Sequence, residues 1–310
     1  MSVVATKPRV GFLGLGWIGR ARMEAVRADV EVAAVADPAL PDALDSLEQL
    51  LEHELDAVVI ATPSALHAEQ VIAALEAGLA VFCQKPLGRT AAEAQTVVDA
   101  ARRADRLLAV DLCYRFTRAA QAIRALGLGD VYAAETAFHN AYGPDKAWFY
   151  DRRLAGGGCV IDLGTHLVDL ALWTLGWPRV LQVESRLLHR RANGVEDYAI
   201  ARLDLEGGAT VSVTCSWNLP AGRDCVIEAR FYGTSGGAAL RNVGGSFYDL
   251  AAERLAGTRT ETLVEPPDDW GGRAIRNWAR RVRAGETYDA EVEQVVEVAR
   301  VVDRIYGRSA

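Results

Sequence analysis

The sequence has few of the residues that disulfide or metal frameworks need. Its five cysteines, Cys83, Cys113, Cys159, Cys215 and Cys225, are scattered, odd in number and mostly set in apolar runs. That spacing argues against a disulfide scaffold or a zinc site and suits reduced core thiols of a cytoplasmic protein. There is no surplus of positive charge: the formal net charge is −7 at pH 7. Nucleic acid and anionic membrane surfaces are therefore not expected partners. No apolar run approaches the roughly 20 residues that would span a bilayer. The stretch Met1–Arg9 lacks the basic and then apolar regions of a signal peptide. There is no internal repeat and no low-complexity segment.

What is present is the composition of an ordinary globular protein, 50% hydrophobic and 24% charged over 310 residues, long enough for two cores. The stretch Val10–Asp37 organises the rest. Val10-Gly11-Phe12-Leu13 reads as a short buried strand. Gly14-Leu15-Gly16-Trp17-Ile18-Gly19 follows at once and fits G-x-G-x-x-G. In that pattern the glycines serve a tight turn, close approach of backbone to a pyrophosphate, and close packing of helix on strand. Arg20–Ala28 reads as a helix whose N-terminal amides and dipole would hold the pyrophosphate. A second apolar run, Val32–Ala36, ends in Asp37, at the offset of the acid that binds adenosine ribose hydroxyls. A carboxylate repels a 2′-phosphate, and Pro38-Ala39-Leu40 offers no arginine to receive one, so NAD is expected over NADP.

The alternation continues. Ser46–Gln49 and Thr90–Glu93 have the form of capping boxes, and Asp56–Ala61, Leu79–Cys83 and Leu107–Asp111 read as further strands. The expected fold is α/β: an N-terminal Rossmann domain with a doubly wound parallel sheet over residues 1–115. Past Tyr114 the pattern changes. A helix over Val160–Leu175 is expected, then β-rich runs from Val180 to about Val264. Residues 116–310 should form an α+β domain with a large, mostly antiparallel open sheet, its C-terminal helix packing back toward the first domain.

Three short motifs carry candidate chemistry. Thr62-Pro63 with His67, and Gln84-Lys85-Pro86, lie at the C-terminal ends of parallel strands, where open α/β sheets bind ligands. Asp162-x-x-x-His166 opens the helix after Gly156-Gly157-Gly158, and α-helical spacing would put both side chains on one face, with Asp169 a further turn along. Asp162, His166 and Asp169 have the side-chain types of a metal set, but the other histidines show no ligand spacing, so no metal is expected.

In their order along the chain, Gly14-x-Gly16-x-x-Gly19, Ala61-Thr62-Pro63-x-x-x-His67, Lys85-Pro86, Gly156-Gly157-Gly158-x-x-x-Asp162-x-x-x-His166 and the closing Arg304–Ala310 resemble the glucose–fructose oxidoreductase / inositol dehydrogenase / MocA family of nicotinamide-dependent sugar and cyclitol dehydrogenases. The resemblance implies a catalytic group of Lys85, Asp162 and His166, in which Lys85 or His166 takes the proton of a substrate hydroxyl. Unperturbed histidine titrates near 6.5 and lysine near 10.4, so His166 is the expected base and Lys85 the charged donor that orients the alcohol. Gly14, Gly16, Trp17, Ile18, Gly19, Asp37, Thr62, Pro63, His67, Gln84 and Lys85 are the expected cofactor contacts, His67 either supporting the nicotinamide pocket or capping its helix. Arg115, Trp148 and Tyr150, with Asp151, sit where family members place cofactor or substrate contacts, or else pack a domain interface; His139 and Asn140 are weaker candidates of the same kind. One departure stands out: the family commonly has Glu before Lys-Pro, and this chain has Gln84. A second is the short crossover Pro38–Ser46. The expected function is a dehydrogenase acting on a small polyol or sugar, as a homodimer or homotetramer through the second sheet. A non-catalytic NAD-responsive regulator and an NAD-dependent glycosidase are the competing readings.

Overall fold

A computed structural model describes residues 7–191 and 194–308, and the chain forms two compact units. The first takes residues 1–111 and 271–296, the second 112–270 and 297–310.

In the first unit the strands β1 (Arg9–Leu13), β2 (Glu31–Ala36), β3 (Ala57–Ile60), β4 (Ala80–Cys83) and β5 (Leu108–Val110) form one parallel sheet in the order β2-β1-β3-β4-β5. The central strands are apolar on both faces because helices cover both. Those helices are α1 (Trp17–Val26), α2 (Leu47–Leu51), α3 (Ser64–Glu76) and α4 (Ala91–Ala104). Both N-caps form, Ser46 accepting from the Gln49 amide and Thr90 from the Glu93 amide, while the Gln49 and Glu93 side chains reach back to the amides of Asp45 and Arg89, one residue before each cap. The order reverses between β1 and β3, and it is outside the carboxyl ends of the strands at such a point that α/β sheets bind ligands.

In the second unit, α5 (Arg118–Arg124), α6 (Arg152–Ala155) and α7 (Thr165–Thr174) accompany eight strands. These are β6 (Val131–Asn140), β7 (Val180–Leu188), β8 (Tyr198–Leu205), β9 (Thr210–Ser216), β10 (Cys225–Gly233), β11 (Gly236–Asn242), β12 (Leu250–Ala256) and β13 (Arg259–Val264), in the sheet order β13-β12-β11-β10-β6-β9-β8-β7. Every neighbouring pair is antiparallel except β6 with β9. Along β6, Ala134, Thr136 and Phe138 are buried and their alternates are not, so one face packs on the helices.

The chain then returns to the first unit with α8 (Gly272–Arg283), whose buried Trp278 meets Phe82 at 5.6 Å between ring centroids. The last helix, α9 (Gln294–Ile305), crosses from the first unit into the second.

Two expectations need correcting. The helix expected over 160–175 begins with a π-helical turn, Val160–Gly164, before α7. And one stretch among the described residues, Arg152–Thr174, is long and apolar enough by length and composition to cross a membrane; its most apolar window is 89% buried inside the protein, which marks it as a core segment. All five cysteines are buried and unbridged, and burial pushes the Cys225 thiol up to about 12.

Candidate functional site

In the first unit the expected cofactor residues gather at the carboxyl ends of the strands. The amides of Gly14 and Ala61 donate to Ala36 and Leu13, which ties the glycine loop to β2 and the end of β3 to β1. Gly14 has φ +87°, and a Cβ there would lie 2.7 Å from the Ala61 backbone. A Cβ on Gly19 would lie 2.0 Å from the Gly14 carbonyl oxygen. Gly16 is different: a Cβ there would meet nothing within 4 Å. Protein packing therefore demands Gly14 and Gly19 but not Gly16, whose open approach at the N-terminus of α1 is the room a pyrophosphate needs. The first turn of α1 carries no acid, Trp17 stands 63% exposed and Ile18 is half-buried. These residues fit a dinucleotide.

Asp37 is half-buried, and its carboxylate accepts from the Leu15 amide at 2.7 Å and the Ala39 amide at 2.9 Å. Two backbone bonds fix its orientation, and a carboxylate retains lone pairs for ribose hydroxyls. The crossover after it is as short as expected: a parallel bridge Ala36–Leu44, then α2.

Thr62 donates its hydroxyl to Gln70, and Pro63 is the N-cap residue of α3. His67, fully buried, stands between two carbonyl oxygens, with Nδ1 2.7 Å from Pro86 O and Nε2 2.8 Å from Thr62 O. It joins the loop after β3 to the cis Lys85-Pro86 bond after β4. Burial lowers its pKa and the two carbonyls work against that. Gln84 is buried beside Asp111.

In the second unit the π turn carries Asp162, and α7 carries His166 at its second residue. The turn is π-helical, closed by Thr165 N donating to Val160 O, where a regular α-helix was expected. Trp217 Nε1 donates to Asp162 Oδ2 at 3.1 Å. His166 is 8% exposed, 5.0 Å edge-to-face from Tyr114 and 6.5 Å from Phe138. Trp217 also gathers the aromatic candidates: Tyr150 lies 5.6 Å from it and Phe149 6.4 Å, with Trp148 stacked on Phe149 at 3.9 Å. Tyr150 is thus linked to Asp162 through one indole, and Trp148 through Phe149 and that indole.

Other candidates have structural partners. Arg115 holds Asp169 through Nε at 2.8 and 2.9 Å and through Nη2, and lies over Trp177. Asp151 caps α6 and pairs with Arg153, whose hydrogen bond lowers its pKa. His139 bonds Ser216 and stacks on Tyr198, and Asn140 closes β6. Among the described residues, no cluster of three or more His, Cys, Asp or Glu side chains could hold a metal ion.

Three residues that the motifs did not single out support these candidates, two in the second unit and one in the first. Buried Glu196 accepts from the amides of Gly158 and Val160, at 3.0 Å from Oε1 in each case, and so anchors the start of the π turn. Trp217 holds Asp162. Asp111 takes both Arg22 and Gln84. A charged residue closing an apolar run, Leu107–Val110, was the one available signal for Asp111.

A parallel sheet in this order, with a glycine loop at a helix start after β1 and an acid after β2, defines a dinucleotide-binding protein. The comparisons give the family. A profile described as an oxidoreductase family with NAD-binding Rossmann fold matches residues 8–112, and the GFO/IDH/MocA C-terminal domain matches residues 116–239. The chain belongs to the Gfo/Idh/MocA family. A D-xylose 1-dehydrogenase (NADP(+)) of Haloferax volcanii is 34% identical over 294 residues, covering 91% of this chain and 87% of that one. A D-glucoside 3-dehydrogenase of Escherichia coli is 28% identical over 276 residues, covering 77% and 79%. In fold, the chain matches the crystal structure of a 3-ketoreductase from Actinomadura kijaniata in complex with NADP and TDP-benzene, with TM-score 0.83 and 24% identity over 97% of this chain and 98% of that one.

Proposed function

We propose that this protein oxidises a secondary hydroxyl of a sugar, aminosugar or cyclitol, or reduces the matching ketone, with NAD preferred to NADP. The observation that carries the reading is the buried start of α7, where Asp162 and His166 share one distorted helix beside an aromatic group. Bound nicotinamide would accept or give the hydride. His166 is the proton acceptor; its Nδ1 is shut away from solvent, which leaves Nε2 to take the hydroxyl proton. Asp162, oriented by Trp217, directs the substrate or balances the imidazolium. Lys85 supplies a positive charge to the hydroxyl being deprotonated. Trp148, Phe149 and Tyr150 offer ring faces to sugar C–H groups. The relatives' printed substrates, xylose and glucosides, support the substrate class.

Asp37 supports NAD, because its fixed carboxylate would meet a 2′-phosphate with like charge. The side of the eight-stranded sheet that carries exposed Ile200 is the proposed surface for a second copy. The test is reduced-nicotinamide absorbance with NAD and separately NADP across inositols, hexoses, pentoses, aminosugars and uronic acids. Turnover with one class and NAD supports the reading. Release of a substituent without net NADH would move the reading to a glycosidase, and NAD binding without turnover to a regulator.

A further inference from the structure

The carboxylate of Asp111 has no part in the proposed chemistry, yet it is 1% exposed at the end of β5. One oxygen, Oδ2, accepts from Arg22 Nε at 2.6 Å and also from the side-chain amide of Gln84. Arg22 is 2% and Gln84 7% exposed. The three residues come from α1, the end of β4 and the end of β5, at the sheet edge that bears the glycine loop. Arg22 keeps the anion from being buried unpaired, and a Cβ on Gly271 would lie 1.8 Å from its guanidinium, so glycine is needed there to seat it.

A carboxylate accepts hydrogen bonds and cannot donate one. Gln84 must therefore turn its NH2 to Asp111 and its carbonyl away, and a glutamate at 84 would set two carboxylates against each other. Charge-assisted bonds in a buried network are strong and specify one arrangement. Lys85 follows Gln84 directly, and the next residue, Pro86, is held from the other side by His67.

We propose that Asp111 is the positioning residue for Lys85: through Gln84 it fixes the segment that carries the lysine, and it places at 111 the buried negative charge that the side chain at 84 lacks. The proposal rests on Lys85 acting in the reaction proposed above.

The test compares the whole protein with Gln84→Leu, Gln84→Glu and Gln84→Glu/Asp111→Asn. Gln84→Leu removes only the link to Gln84 and keeps the Arg22–Asp111 pair, so it remains informative if variants at 111 fail to fold. Gln84→Leu and Gln84→Glu should each lower kcat about ten-fold or more, and the double variant should recover most of the loss to Gln84→Glu. The second readout does not depend on turnover. The chain has three lysines, Lys7, Lys85 and Lys146, so reductive 13C-methylation gives few resonances, and Lys85→Arg identifies the one from Lys85. That resonance should move in both single variants and return in the double, with the other two unmoved. Wild-type kcat and an unmoved resonance in Gln84→Leu, or additive losses in the double variant, would overturn the proposal. A wild-type protein with no turnover would overturn the functional reading alone, and the resonances would still decide the role of Asp111.

Discussion

The hydroxyl of Tyr306 donates to Oε1 of Glu196 at 2.7 Å, and the same hydroxyl accepts from the Ile161 amide at 3.2 Å. Glu196 in turn takes the amides of Gly158 and Val160. The π turn bearing Asp162 is thus held at its start by a carboxylate and at its next residue by a phenol. Burial and the neighbouring carboxylate keep that phenol protonated well above its ordinary range. The packing is close: a Cβ on Gly158 would lie 2.0 Å from Glu196 O, and one on Gly157 2.0 Å from the Tyr306 hydroxyl.

Tyr306→Phe should therefore cost about 1–3 kcal/mol, the usual penalty for leaving buried groups without their partner. Urea unfolding measures it. The variant should also lose kcat, because Ile161 adjoins Asp162. Unchanged stability would mean that the bridge contributes nothing.

Gly16 and Gly19 should separate cofactor binding from folding. Gly19→Ala drives a Cβ into the Gly14 carbonyl and should destabilise by about 3 kcal/mol or more. Gly16→Ala meets no protein atom, so its stability should fall by no more than about 1 kcal/mol, the N-cap preference for glycine over alanine. Its NAD affinity should fall about ten-fold or more, since the methyl occupies the pyrophosphate's approach. Titration by nicotinamide fluorescence, beside thermal melts, checks both. Equal NAD affinity in Gly16→Ala and wild type would refute the assignment of the loop.

His67 gives a pH dependence with a definite sign. Its folded pKa is lowered from 6.5, chiefly by burial, so the unfolded chain binds the proton more readily. Stability from this residue is fully present above about 6.5 and is lost as pH falls through the lower folded value. The urea midpoint should drop from pH 7.5 to pH 5.5, and less steeply in His67→Gln. An identical slope in the variant would assign the acid sensitivity elsewhere, His139 being the next group lowered by burial.

Asp37→Ser should narrow the preference for NAD over NADP by about ten-fold or more, by removing the charge that meets a 2′-phosphate. Measured kcat/KM with each cofactor decides it. An unaltered ratio would place the selection in another residue.

The Rossmann unit was legible because its signals are local: a strand, three glycines within six residues, a helix and an acid lie within Val10–Asp37. Its glycines even divide by purpose once Cβ contacts are drawn. The second sheet was legible as to kind, from β-branched runs and turns, but not as to order. The parallel pairing of β6 with β9 joins strands that no turn connects. The π turn was invisible because what holds it lies far off in sequence, Glu196 being 36 residues from Val160 and Tyr306 145 from Ile161. For the same reason the helix bearing Asp162 and His166 was expected to be regular from its first residue. Gln84 stood out as a departure from the family pattern, but its pairing with Asp111, 27 residues on, has no local signal. Arg115 had the position of a ligand contact, and Asp169 takes its guanidinium.

The most direct measurement is the rate of NADH formation by wild type and His166→Ala with the best substrate of the panel, alongside NAD binding by both. The account predicts a loss of kcat of about 10²–10⁴-fold with NAD affinity kept within three-fold. A variant that turns over within ten-fold of wild type would contradict it, and His166 would not be the base.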